Sequence, residues 1–377
     1  MWPTASMVFT TINDSDVLEG YFENFQRYGH LEQVQVFVIP DRKTPAATYK
    51  RCQEFSQRGL RVVCPTIEEQ ESFLRQLGLP ANFIPYNSGN RRNVGYLMAL
   101  ESDSDFLISI DDDNYCRHYD DFFYEHSVVS SEHYLARKVA VDTGWFNVCD
   151  LLSFDNPGRI YARGFPYHAR HKCEVKAVTS DLLTVRMNTG LWLQDPDVDG
   201  ITWMVSPSRA TSFKWENVVL DRNTWSPINT QNTALHRDVI AAYYFVRMDY
   251  PLAGMLIDRY DDIFSGYFSQ ACLHHMGHHV RIGTPIVDHK RNAHNYLRDT
   301  TDELAGLWIL EDLTPWLIDV TIEGETYTES YISLSHALED AVEQFTGSIW
   351  TDTTRGFFHQ MAYCMRKWAR ACAMING

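Results

Sequence analysis

The sequence predicts an α/β protein with a mostly parallel central sheet flanked by helices and a helical extension at its C-terminal end. Three observations carry that expectation. Strand-like and helix-like segments alternate strictly from Met7 to Cys64, the pattern of a parallel sheet wound from right-handed βαβ units. The apolar run Phe106-Leu107-Ile108-Ser109-Ile110 leads directly into Asp111-Asp112-Asp113, so a buried strand delivers three carboxylates to its C-terminal edge, where α/β sheets bind their ligands. From about Thr300 onward the pattern turns helical.

Met7 to Ile12 forms the first strand, and Thr10, near its C-terminal end, is expected to touch the ligand. Asn13-Asp14-Ser15-Asp16 then supplies N-cap chemistry for a helix from about Val17 to Tyr28. Val34 to Ile39 is the second strand, Pro45 opens the second helix, and Leu60 to Cys64 is the third strand. No Gly-x-Gly-x-x-Gly follows the first strand and no Gly-Lys-Ser/Thr occurs, so dinucleotide and P-loop readings lack their phosphate cradle. Asn87 to Tyr96 instead leads into a helix that runs to about Glu101, and Arg91 or Arg92 at its start can clamp a phosphate or carboxylate.

The acidic strand comes next. Three consecutive carboxylates at a strand end require a cationic partner, because burying them unpaired costs several kcal/mol. Hard oxygen ligands without nearby sulfur favour Mg²⁺ or Mn²⁺, an ion that keeps waters and bridges to substrate phosphates. A metal-bound diphosphate is therefore the inferred ligand of Asp111, Asp112 and Asp113.

Further along, Ala162 to Arg170 combines two arginines with Gly, Pro and aromatics. Arg163 cannot lose its proton near neutral pH and reads as an anion clamp. Asn188-Thr189-Gly190-Leu191-Trp192-Leu193 reads as a small-residue turn beside an aromatic, placing Gly190 and Trp192 in the expected binding set. Asp261 and Asp262 open a helix that reaches about Met276; a cap uses one carboxylate and leaves the other for chemistry. Val280 to Gly283 and Pro285 to His289 read as two short strands, with a His289 imidazole suited to the metal and Asp288 near enough to orient it. His274 to His279 lacks cysteines and finger spacing and reads as a helix C-cap around Gly277, not a zinc site. The last helix, near Gly356 to Met374, puts Phe358, Met361, Met365, Trp368 and Cys372 on one stripe for packing on the main domain or a second subunit, with a membrane surface as the minor reading.

At 377 residues, 45% hydrophobic and 13% aromatic, the chain has the core of one large α/β domain with an extension, or of two domains. Its net charge of −16 excludes an electrostatic nucleic-acid binder, which needs a basic stripe. Met1 to Ser6 has neither the basic nor the apolar region of a secretory signal, and no apolar run reaches membrane-spanning length. A soluble cytoplasmic protein is expected. The eight cysteines (Cys52, Cys64, Cys116, Cys149, Cys173, Cys272, Cys364 and Cys372) lie far apart and read as reduced thiols.

Arg92-x-x-Gly95-Tyr96, Ile110-Asp111-Asp112-Asp113, Arg163-Gly164-Phe165-Pro166-Tyr167, Gly190-Leu191-Trp192-Leu193, Arg259-Tyr260-Asp261-Asp262 and His289 stand in this order. Together they resemble the reversibly glycosylated polypeptides, the plant UDP-arabinopyranose mutase family. The resemblance runs from about Asn87 to Trp316 and includes Asp195-Pro196-Asp197, Leu310-Glu311-Asp312 and Pro315. It implies a GT-A (Rossmann-like) glycosyltransferase fold over residues 1–300 with residues 301–377 as the extension, a UDP-sugar donor, a divalent metal at the triple aspartate, and an arginine, here Arg163, that becomes glycosylated. The chain departs from the plant pattern at Asn114-Tyr115 and at His168-Ala169-Arg170-His171.

The expected activity is metal-dependent glycosyl transfer from a UDP-sugar to a separate acceptor. Alternatives are a UDP-sugar pyranose/furanose mutase and a self-glycosylating protein without turnover. The expected metal ligands are Asp113, Asp111 and His289, with Asp261, Asp262 and Arg163 as catalytic residues. Thr10, Arg91, Arg92, Asp111, Asp112, Arg163, Gly190 and Trp192 form the expected nucleotide-sugar site. A homo-oligomer is possible.

Overall fold

A computed structural model describes residues 2–171, 174–214, 216–292 and 295–376; Cys173, one of the eight thiols, lies outside them. The first half follows the predicted alternation. Strands β1 (Ala5–Thr11), β2 (Val34–Pro40), β3 (Arg61–Val63) and β4 (Phe106–Ile110) stand in the order β3-β2-β1-β4, with every pair parallel. Helices α1 (Val17–Tyr28), α2 (Ala46–Gln57), α3 (Ile67–Gln76) and α4 (Arg92–Glu101) make the crossovers. The α3 start is a reciprocal cap, in which Thr66 Oγ1 accepts the Glu69 N–H at 3.2 Å and Glu69 accepts the Thr66 N–H at 2.7 Å. The N-cap expected before α1 is absent: Asp16 makes no side-chain cap bond, and Asn13 is spent on Asp112.

The second half is mixed rather than parallel. Strands β5 (Asn114–Cys116), β6 (Tyr134–Val141), β7 (Leu152–Phe154), β8 (Val175–Leu183), β9 (Val185–Gln194) and β10 (Ala210–Phe213) come next, then β11 (Val218–Leu220), β12 (Asn232–His236), the β13 (Tyr250–Leu252) and β14 (Met255–Ile257) hairpin, and β15 (His279–His289). β12 runs antiparallel between β4 and β9, β15 is parallel to β9, and β11 and β6 continue outward to β8, giving a sheet of 13 strands among the described residues. Two expectations change here. Asn188 to Leu193 is the interior of β9, not a turn, and the two short strands expected over 280–289 are one continuous strand.

Helices α5 (Phe122–His126) and α6 (Gly200–Val205) are short, and α7 (Asp261–His275) is the buried helix of the second half. Gly277 follows α7 with a left-handed φ of 75°, and its N–H bonds the His274 carbonyl, as the C-cap reading requires. The C-terminal region is α8 (Tyr296–Asp319), α9 (Tyr327–Val342) and α10 (Asp352–Asn376). The α10 stripe Phe358, Met361, Met365, Trp368 and Cys372 is buried in this chain, against α9 and the turn at Arg237–Ala242, where Trp368 Nε1 donates to the Ile240 carbonyl at 2.8 Å. That stripe is therefore not free for a membrane surface. Among the described residues no helix is long and apolar enough to cross a membrane, and seven cysteines are free thiols.

Candidate functional site

The β4 strand ends in a fork where each aspartate has a different partner. Asp111 takes Arg92 Nη2 at 2.6 Å. Asp112 turns to β1, accepting Thr11 Oγ1 at 2.5 Å and Asn13 Nδ2 at 2.9 Å. Asp113 faces His289 at the end of β15, Oδ2 to Nε2, at 3.5 Å. Burial raises the pKa of Asp111 and Asp112, against the stabilising bonds from Arg92 and from Thr11 and Asn13.

Glycine explains how Arg92 gets there. A Cβ on Gly95 would lie 2.4 Å from Val8 and 2.8 Å from Ile39, so only glycine lets α4 press onto β1 and β2 at that point. Asn93 exchanges two bonds with the backbone of Phe245, at 2.8 and 3.0 Å, and Phe245 then lies under the Arg92 guanidinium at 4.7 Å. Thr230 accepts a further Arg92 bond at 2.7 Å. Burial opposes the charge, but the Asp111 carboxylate holds the Arg92 pKa above its ordinary value.

The Asp113–His289 pair tests whether the site suits a cation. His289 Nδ1 must donate to the Asp195 carbonyl at 2.7 Å, since a carbonyl only accepts. A neutral imidazole then turns its Nε2 lone pair toward the Asp113 carboxylate. Two acceptors facing each other require a proton or a metal ion between them. Burial lowers the His289 pKa, and the Asp113 carboxylate more than reverses this, which is the same demand expressed for a proton. Among the described residues no set of three or more His, Cys, Asp or Glu gathers around an ion position. Mg²⁺ and Mn²⁺ do not need one, because one or two protein groups plus water and phosphate oxygens complete their coordination.

Two adjoining cavities share Gly89, Arg92, Asp111 and Asp113. The outer one, about 340 Å³, is bounded by Thr10, Thr11, Ile12, Asn13, Asp41, Asn87 and Asn292. The inner one, about 240 Å³, is bounded by Arg163, Asp197, Asp258, Arg259, Asp261, Asp262, His289 and Arg291. Thr10 lines the outer cavity and donates its hydroxyl to the Ile39 carbonyl at 2.9 Å.

Arg163 is 7% exposed, and all five of its N–H groups are engaged. Nε and Nη2 bond Asp197 at 2.8 and 3.2 Å, Nη1 and Nη2 bond Asp262 at 2.9 and 2.7 Å, and Nη1 also bonds the Arg259 carbonyl. Gly164, with φ of 83°, lets this loop lie on the first turn of α7, since a Cβ there would sit 2.5 Å from Ile263. Burial would raise the Asp197 pKa, but the Arg163 guanidinium brings it down to about 2. As an anion clamp Arg163 is therefore already committed to protein carboxylates. Asp261 differs from its neighbour: one oxygen accepts the Asp262 N–H at 3.1 Å, and burial with the adjacent Asp262 charge pushes its pKa up to about 8.

Three residues of the expected binding set lie outside both cavities. Arg91 is fully buried under Tyr86, bonding Gln70 and the Ile84 carbonyl, so Arg92 is the arginine of that pair at the site. Trp192 is core at 2% exposure. Gly190 serves strand approach, since a Cβ there would lie 2.2 Å from Asn232 and 2.3 Å from the Pro285 carbonyl. Conversely, Asp197, Arg259 and Arg291 line the inner cavity without having been assigned to it from sequence. Asp197 lay within the Asp-Pro-Asp segment and Arg259 within the Arg-Tyr-Asp-Asp segment, while Arg291 had no signal beyond standing two residues after His289.

The family model described as reversibly glycosylated polypeptide matches residues 65–377. The chain is 26% identical to probable UDP-arabinopyranose mutase 4 of Arabidopsis thaliana, over 80% of this chain and 76% of that protein. It is 25% identical to UDP-arabinopyranose mutase 1 of Oryza sativa subsp. japonica, over 98% and 90%. Among solved structures it resembles S. aureus TarS 1–349 in complex with UDP-GlcNAc, with a TM-score of 0.42 and 11% identity over 98% of this chain and 89% of that one.

Proposed function

The chain belongs to the reversibly glycosylated polypeptide family, and from that premise we propose that it is a divalent-metal-dependent enzyme that breaks the bond between the anomeric carbon of a UDP-sugar and its diphosphate. The observation that carries this reading is the Asp113–His289 pair, two facing acceptors at 3.5 Å at the junction of the two cavities. Asp113 and His289 would hold Mn²⁺ or Mg²⁺, with Asp111 beside them. The ion supplies Lewis acidity, neutralising charge on the departing diphosphate.

In this reading the outer cavity takes the nucleoside, with Thr10 and the Asp112 loop along its wall, and the inner cavity takes the sugar. Arg92 and Arg291 are the cations placed to meet the diphosphate oxygens. Asp261 and Asp262 are the catalytic carboxylates, and Arg163 holds Asp262 in place; for Arg163 itself to accept the sugar, a proton would first have to pass to Asp197 or Asp262. The leading activity is glycosyl transfer to an acceptor. A specific observation favours mutase activity as the second reading: the inner cavity, about 240 Å³, has room for little more than one sugar, and the similar plant proteins are named UDP-arabinopyranose mutase or probable UDP-arabinopyranose mutase. The free thiols support a cytoplasmic location, and self-association would be read by light scattering.

Incubation with Mn²⁺ and UDP-arabinopyranose without acceptor tests the proposal. A new UDP-furanose supports the mutase, slow UDP release supports the transferase, and neither binding nor cleavage of any UDP-sugar contradicts both.

A further inference from the structure

Asp261 and Asp262 are adjacent, yet the structure gives them opposite circumstances. Both oxygens of Asp262 are taken by Arg163, and Oδ1 also accepts the Ile263 N–H at 2.9 Å. Asp261 has no cation within ion-pair distance among the described residues. Its Oδ1 receives only the Asp262 N–H, while its Oδ2 lies beside Gly89 on the inner-cavity wall, 3.7 Å from where a Cβ would stand. An unpaired carboxyl with a charged carboxylate next to it stays protonated near neutral pH, as its raised pKa of about 8 reflects. On the wall of the inner cavity, Asp261 is thus a group that can give a proton and take it back.

Ring contraction needs such a group, and a role for Asp261 in it rests on the mutase reading. Once the bond from C1 to the diphosphate has broken, the sugar's O4 hydroxyl bonds to C1. The bond from C1 to O5 then breaks as O5 takes a proton from the acid, the O4 proton passes to the carboxylate so formed, and UDP returns to C1. The net change is one proton moved from O4 to O5, with no oxidant, reductant or water consumed. We propose that Asp261 carries this proton, acting as the acid toward the ring oxygen and as the base toward the attacking hydroxyl. Asp262, held by Arg163, is not free to do so.

The test uses UDP-arabinopyranose labelled with ¹⁸O in the oxygen that joins C1 to the diphosphate, with the full-length enzyme and Mn²⁺. Movement of label to non-bridging positions reports cleavage and return; appearance of the furanose reports contraction. Asp261→Asn is expected to slow contraction at least about 100-fold more than it slows label movement, the scale of lost acid–base catalysis. Equal losses in the two readouts, or contraction near the unmodified rate, overturn the assignment. Should the variant fail to fold, the unmodified enzyme decides: in D₂O the furanose must form more slowly while label movement does not change, and an equal effect on both overturns it. Label movement without any furanose in the unmodified enzyme contradicts the mutase reading itself, a result distinct from failure of Asp261.

Discussion

Arg163 and Asp262 meet in a two-pronged contact, Nη1 to Oδ1 at 2.9 Å and Nη2 to Oδ2 at 2.7 Å, with Asp197 closing the opposite edge of the guanidinium. The pair ties the Arg163 loop to the first turn of α7 and leaves the arginine without a spare N–H. Lysine keeps the charge but cannot span two carboxylates with one planar fork. Arg163→Lys is expected to lower kcat at least about 100-fold and to cost about 1–3 kcal/mol of stability, because part of a buried ion network is left unmade. Steady-state turnover and urea unfolding check both numbers; a variant with unchanged kcat contradicts the positioning role.

Asp261 links the site to pH through stability. Its folded pKa of about 8 lies above the unfolded carboxylate value near 4, so the folded state holds a proton that the unfolded state releases. The stabilisation is complete below about pH 4 and is lost as pH rises through about 8. Asp261→Asn removes this dependence. Between pH 5 and pH 8.5 the variant should gain on the unmodified protein by up to about 4 kcal/mol in denaturant unfolding; parallel pH curves for the two proteins contradict the raised pKa.

The two adjacent arginines separate cleanly. Arg92→Lys should weaken UDP-sugar binding at least about 10-fold by calorimetry, because the planar guanidinium that bonds Asp111 through Nη2 and Thr230 through Nη1 at the cavity wall is lost. Arg91→Lys should leave that affinity within about twofold and cost about 1–2 kcal/mol of stability, since it breaks only buried bonds to Gln70 and Ile84. The reverse pattern would place Arg91 at the ligand.

Gly95→Ala should overpack α4 against Val8 and Ile39, where a Cβ falls at 2.4 and 2.8 Å. The expected cost is about 1–3 kcal/mol, with weaker UDP-sugar binding as Arg92 shifts. An alanine variant with unchanged melting temperature and affinity contradicts the close packing.

Legibility in the sequence depended on how local each signal was. The β4 run into Asp111-Asp112-Asp113 announces itself, because an apolar strand ending in carboxylates has few structural uses other than a ligand site. His289 stood out as an imidazole ending an apolar segment. Arg91 and Arg92 could not be told apart, since neighbours at a helix start point in different directions and only tertiary packing decides which meets Asp111. Gly190 and Trp192 were misassigned because small residues inside a buried strand look like a turn until β12 and β15 are seen on either side. The antiparallel half of the sheet was hidden for the same reason: β12 pairs with β4 across more than a hundred residues, and alternation along the chain does not report it.

The metal pair carries the proposed function, and calorimetry of UDP binding with and without Mn²⁺ tests it most directly. The unmodified protein should bind UDP at least about 10-fold more tightly with Mn²⁺, and Asp113→Ala and His289→Ala should each lose that gain while keeping near-native melting temperatures, because these side chains would hold the ion that neutralises the diphosphate. Metal-dependent affinity that survives both substitutions unchanged would contradict an ion held between Asp113 and His289.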